Sequence, residues 1–246
     1  MKNNLKKLTL ALTVCLPICA FSGVQGDVNI QSTQIPSPLM PAQESQAPVN
    51  NEILIDHSEQ DTQLFIGIIS SMQTMEAKFE QLSINNYRQT QQSSSGVFKV
   101  KKPGKFAWLI EKPYEQYILS NGKKVWDYDV DLEEVNISKV DAQNSQMMDL
   151  LQSDKEALLL SDYAISADRY ASETVFTFVP KLENSEIAQI YISFVGNVLN
   201  SIRIQTDLEQ ATIFEFSDVQ TNIEIKDSVF ELAIPDGIDV YDETLF

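Results

Sequence analysis

Residues able to do chemistry are few in this chain. The single histidine is His57, and the two cysteines are Cys15 and Cys19. Ser-His-Asp and Cys-His catalysis need an imidazole beside the nucleophile, and zinc sites need imidazole or thiolate ligands. Residues 58 to 246 can supply neither, which leaves carboxylates. Asp127, Asp129 and Asp131 alternate like the opening of a calcium loop. However, Leu132 stands at the sixth position, where such loops need glycine, and Ser138 at the twelfth, where they need glutamate. Alternating acids on a strand describe a solvated face. Acid-based hydrolysis would need two inward-facing carboxylates, and the pattern places acids mainly on the wet side. The expectation is no enzyme, no metal and no cofactor.

The acids sit within 96–137, which reads as short antiparallel strands. Phe106, Trp108 and Ile110 share one parity, and Trp126, Tyr128, Val130 and Leu132 another; a side-chain period of two puts each set on one sheet face. Asn121-Gly122 is a hairpin signal because both residues tolerate positive φ. Lys102-Pro103-Gly104 marks a reversal, Lys112-Pro113 ends a strand, and the parity change at Glu133-Glu134 marks a bulge or strand end. One wet face and one aromatic face predict a curved sheet holding something apolar.

Helices flank these strands in the sequence. Phe65, Ile69, Met72, Met75 and Phe79 recur at spacings of three and four, widened by Leu64 and Ile68. They predict an amphipathic helix over about 61–81, capped by Asp61 or Thr62. Its methionines suit a surface that fits variable apolar ligands. Two short helices are predicted in 145–160, broken near Ser153-Asp154. Met147, Met148, Leu150, Leu151, Leu158 and Leu159 make them too apolar for a free surface, so they cover either the sheet's own core or a ligand. Strands at 174–180, 187–194, 199–206 and 212–219 follow, with a turn at Gly196-Asn197.

The N-terminal region reads differently. Residues 1–26 carry Lys2, Lys6 and Lys7, an apolar run and then small residues, the pattern of a secretory signal peptide cleaved after Ser22 or Gly26. Val14 and Ile18 precede the cysteines where a lipidation motif has small residues. Residues 27–59 contain Pro36, Pro38, Pro41 and Pro48 among polar residues and read as a disordered Pro/Gln-rich linker. Ile53-Leu54-Ile55 is its one candidate docking segment. The folded domain is then 60–246. The chain carries 35 acidic and 18 basic residues, three of the latter in the leader, so nucleic acid and anionic membrane surfaces are disfavoured as partners.

From about residue 61 to 241 the chain resembles LolA, the periplasmic outer-membrane lipoprotein carrier family. The resemblance rests on Phe79 with Gln81, Lys102-Pro103-x-x-Phe106-x-Trp108, Ser120-Asn121-Gly122-Lys123, Trp126-x-Tyr128 and Leu132-Glu133. Phe214-x-Phe216-x-x-Val219-Gln220-x-Asn222 and Pro235-x-Gly237-Ile238-Asp239-Val240 complete it. It implies an α+β fold, an unclosed antiparallel β-barrel with helices covering its hydrophobic concave face. It also implies a carrier that takes lipid-modified proteins from an inner-membrane ABC-type releasing complex to an outer-membrane receptor lipoprotein. Phe106 stands where the family has a residue important for lipoprotein binding and transfer. Lys102 stands where many members carry an arginine that controls lid opening; Lys offers a mobile point charge in place of a planar fork. Val130 and Glu134 replace a family proline and glutamine.

The expected function is therefore a monomeric periplasmic chaperone for lipoprotein acyl chains. Phe65, Ile69, Met72, Met75, Phe106, Trp108, Trp126 and Tyr128 are the expected cavity, Lys102 the gate, and the two apolar helices the lid. The alternative is a periplasmic receptor or regulator of the same fold that binds another amphiphile, such as a glycolipid or free fatty acid.

Overall fold

The computed structural model describes residues 58–245 apart from 86, 88, 141–145, 153–155, 184 and 207. The leader, the linker with His57 and Ile53-Leu54-Ile55, and the expected break at Ser153-Asp154 lie outside the described residues. The chain folds as helix α1 (Ser58–Ser71), six strands, helices α2 (Gln146–Gln152) and α3 (Glu156–Asp162), then five strands, a 3-10 turn at Asp227–Phe230 and a last short strand. The strands are β1 (Thr74–Ile84), β2 (Thr90–Lys101), β3 (Lys105–Lys112), β4 (Gln116–Asn121), β5 (Lys124–Asp129) and β6 (Glu134–Lys139). After the helices come β7 (Tyr163–Arg169), β8 (Glu173–Pro180), β9 (Ile187–Val195), β10 (Val198–Thr206), β11 (Ala211–Thr221) and β12 (Asp239–Asp242).

All twelve strands form one sheet in the order β12-β6-β5-β4-β3-β2-β1-β11-β10-β9-β8-β7. Neighbours are antiparallel except β12, which lies parallel to β6. The end strands β12 and β7 do not pair with each other, so the barrel is open. This is the half-barrel with helices that the family resemblance implied.

The first helix is shorter than its apolar spacing predicts. It stops at Ser71, and Met75 and Phe79 belong to β1. Residues four apart share a face in a helix and also in a strand, so this pair cannot separate the two periods. The burial of Met75, Ala77, Phe79 and Gln81 in alternation shows the strand period. The stop has a cause far along the chain. Asn222, at φ 57, accepts a hydrogen bond from Gln73 N at 2.9 Å and donates one to Ser71 O at 3.0 Å, satisfying backbone groups that a continued helix would have used. Neither Asp61 nor Thr62 is the cap. The helix starts at Ser58, and Thr62 Oγ1 bonds back to Ser58 O at 2.5 Å.

Register fixes which residues share a face. Trp108 pairs with Ile118, which pairs with Asp127; Leu119 pairs with both Ala107 and Trp126. Directly opposed residues point the same way. Trp126 and Tyr128 therefore face away from Phe106 and Trp108, and Asp127 and Asp129 lie on the Trp108 face. This reverses the expected arrangement of β5. The expected solvated acid face is not found either: Val125 is buried on it and Asp127 is largely withdrawn from water, while Trp126 is only part-buried. Within one strand nothing says which parity faces the helices, and only pairing decides it. Val130 and Leu132 lie in the turn after β5, with Glu133 at φ 54 just before β6.

Two cores result. The larger one joins α1, α2, α3 and the helix-covered face of β1–β3 and β7–β11. The other covers the outer face of β3–β6, where Ile225, Phe230, Leu232 and Ile238 of the C-terminal segment pack on Ala107, Leu119, Trp126 and Tyr128. Gly96 lets β2 and β3 come together at a register shift, since a Cβ there would sit 1.9 Å from Leu109 O.

Candidate functional site

The helix-covered face is a trough floored by aromatic rings. Trp108 is the centre of one group, with Phe79 and Phe98 each 4.9 Å away and Phe214 at 5.1 Å between ring centroids. Phe65 of α1 centres another, its ring 5.3 Å from Phe176 and 4.9 Å from Phe178. The Phe65 pairs and Trp108–Phe214 are edge-to-face, which suits the ring quadrupoles. Met75 is fully buried, Met72 nearly so, and Phe106 and Ile110 are half-buried at its border. Of the expected cavity residues, Phe65, Ile69, Met72, Met75, Phe106 and Trp108 thus meet on one face. Trp126 and Tyr128 are absent from it; Tyr128 is buried and Trp126 part-buried on the opposite face, under the C-terminal segment.

Helices fill this trough. Phe65, Ile69, Leu150 and Leu151 have no exposed surface, and Met148 and Leu159 are buried with them. Met147 and Leu158 lie on the same two helices, α2 and α3. A solvent-open depression of about 470 Å3, lined by Glu76, Lys78, Val97 and Asp218, sits beside the bulge at Ala77 and faces away from the trough. An alkyl guest can enter the trough only where helix side chains give way to it.

Directional contacts hold the helices down. Lys102 Nζ donates to Ile69 O at 2.7 Å, at the carbonyl end of α1, where the helix dipole favours a cation. Gly104 N donates to Gln152 Oε1 of α2 at 2.6 Å. Both anchors sit in the β2–β3 turn, at the Lys-Pro-Gly reversal. Asp61, buried near the start of α1, accepts hydrogen bonds from Ala167 N at 2.9 Å and Arg169 Nη2 at 2.6 Å on β7.

Beyond Ile118 the trough face becomes acidic. Burial pushes the Asp127 carboxyl above its usual range, with Asp129 and Glu134 adding to the rise, while the hydrogen bond from Gln116 Nε2 at 2.7 Å opposes it. No group of three or more possible metal ligands occurs among the described residues.

Residues 70–233 match the family described as outer membrane lipoprotein carrier protein LolA. The chain belongs to the LolA family. It is 32% identical over 185 residues to the outer-membrane lipoprotein carrier protein of Pseudomonas putida, covering 75% of this chain and 89% of that protein. It is 31% identical over 177 residues to the protein of that name from Chromohalobacter salexigens, covering 72% and 84%. Among solved structures it resembles a LolA superfamily protein from Nitrosomonas europaea, with a TM-score of 0.40 and 8% identity over 70% of this chain and 98% of that chain.

Lys102 bonds a backbone carbonyl of α1. Sequence reasoning missed Asp61 as an anchor, together with Arg169, Gln152 and Asn222. An acid at a helix start reads as a cap, and nothing local tells which distant strand it reaches. No helix among the described residues is long and apolar enough to cross a membrane.

Proposed function

We propose that this LolA-family chain binds the acyl chains of lipid-modified proteins in the trough and carries them through the periplasm from the inner to the outer membrane. The observation that carries this reading is a continuous apolar face, floored by Trp108, Phe79, Phe98 and Phe214 and roofed by helices that pack their apolar side chains into it and are tied at their ends by hydrogen bonds from Lys102 and Gly104. Each buried methylene gains about 0.8 kcal/mol, but an incoming chain also displaces Phe65, Ile69 and their neighbours from the same surface. Apolar gain and loss nearly offset, which suits a carrier that must release its load. The polar fastenings then set the threshold for opening.

In this reading the guest contacts Met72, Met75, Phe106 and Trp108, Lys102 gates α1, and α2 and α3 are the lid. The partners are an inner-membrane ABC-type releasing complex and an outer-membrane receptor; no covalent step and no cofactor is involved. Depletion in the source organism tests it, with newly made lipoproteins followed by membrane fractionation. Their accumulation in the inner membrane is expected; normal arrival at the outer membrane overturns the proposal.

A further inference from the structure

We infer that Asp61 and Arg169 form a second fastening of α1, at the end opposite Lys102, and that this pair sets how readily the trough opens. The inference rests on the carrier reading for its purpose and on geometry for its existence. β7 is an end strand of the sheet, so one side of its backbone has no strand neighbour. Ala167 N, on that side, donates to Asp61 Oδ2 at 2.9 Å, and Arg169 Nη2 donates to Asp61 Oδ1 at 2.6 Å. Arg169 Nη1 also reaches Ala167 O at 3.4 Å, so the guanidinium bridges strand and helix. Asp61 is 4% exposed, yet both its oxygens are bonded. A buried carboxylate so paired is costly to leave alone.

The two fastenings make α1 a bar. The C-terminal ends of β2 and β7 lie on the same rim of the sheet, because β7 and β2 run the same way in the alternating order. Lys102 follows β2 and Arg169 ends β7. The contour between them is six strand spacings, about 29 Å, while the 14 residues of α1 measure about 20 Å. A straight rod shorter than the arc it joins lies across its chord. Phe65, midway along that rod, is one of the side chains that fill the trough, its ring against Phe176 and Phe178. Loosening either end lifts Phe65, and the Lys102 end alone cannot hold the far half of the helix.

The test uses the mature full-length chain with Asp61→Asn, Arg169→Gln and Arg169→Lys. Amide exchange of α1 and β7 is measured by mass spectrometry, and uptake of a dansylated fatty acid by fluorescence. Asp61→Asn and Arg169→Gln are expected to speed exchange in α1 and raise apparent affinity for the probe about tenfold, because a larger open fraction binds more tightly. Arg169→Lys, which keeps the charge, recovers part of the closure. Phe230→Leu, a packing change in the other core, serves as the control for general destabilisation and leaves probe affinity unchanged. Unaltered α1 exchange in Asp61→Asn overturns the fastening, and so does an equal affinity gain in Phe230→Leu. Faster α1 exchange with no probe uptake by any protein upholds the fastening and overturns the acyl-carrier reading.

Discussion

Two side chains on the trough face make opposite demands on the fold. Lys102 is held by the charge it brings to the Ile69 carbonyl, a contact of the charge-assisted kind worth about 1.5–3 kcal/mol. Lys102→Ala is expected to raise affinity for a fluorescent fatty acid about tenfold by populating the open form. Lys102→Arg, with a fork that can hold more than one carbonyl, is expected to lower it; equilibrium titration reads both. Asp127 works against the fold. Its carboxyl titrates above the unfolded value of 3.8, chiefly because burial penalises its charge. The ionised form therefore costs stability at neutral pH, and that cost disappears as pH falls below the unfolded value. Asp127→Asn can keep the hydrogen bond with Gln116 by turning its amide. It is expected to melt higher than the parent at pH 7, with the difference shrinking toward pH 3 in thermal unfolding.

Among the elements, the C-terminal segment is the one whose attachment can be dissected. Lys101 and Lys105 reach Asp227 at 2.7 and 2.9 Å, and Lys101 also donates to Ile225 O at 2.8 Å. Hydrogen bonds from Lys101 and then Lys105 lower the Asp227 pKa to about 2 from 3.8. A depressed carboxyl adds stability above its unfolded pKa and loses it as pH falls through the folded value. Asp227→Asn should therefore remove part of the acid sensitivity between about pH 4 and 2, the two proteins converging in stability only below the folded value. Phe230→Ala, at a position with no exposure, is expected to cost about 3–5 kcal/mol in urea unfolding. Neither attachment was legible in the sequence, because Lys101 and Asp227 are 126 residues apart and each looks like a surface charge alone. By contrast, strands β3 and β4, the Asn121-Gly122 turn and the apolar helices were legible, since each follows from a local period or a turn residue. Where α1 gives way to β1 was hidden by a spacing common to both periods.

At the scale of the molecule, one sheet serves two cores, and the chain's two tryptophans fall one on each face. Trp108 lies among Phe79, Phe98 and Phe214 in the trough, and Trp126 beneath Leu232 and its neighbours on the outside. The parity of β5 was visible in its sequence, yet its facing depended on register with β4 and β6, which a single strand cannot encode. The same division gives a reporter for each face. With Trp126→Phe only Trp108 emits, and with Trp108→Phe only Trp126 does. A brominated fatty acid quenches an indole only in near contact, so a guest in the trough should quench the first protein and spare the second. Phe in place of Trp108 keeps an aromatic ring on the trough floor, so uptake by the second protein can be verified with an unbrominated fluorescent chain before its lack of quenching is read. Quenching of Trp126 with Trp108 unaffected would place the guest beneath the C-terminal segment, and the trough would then be only the core of a sheet that binds its ligand elsewhere.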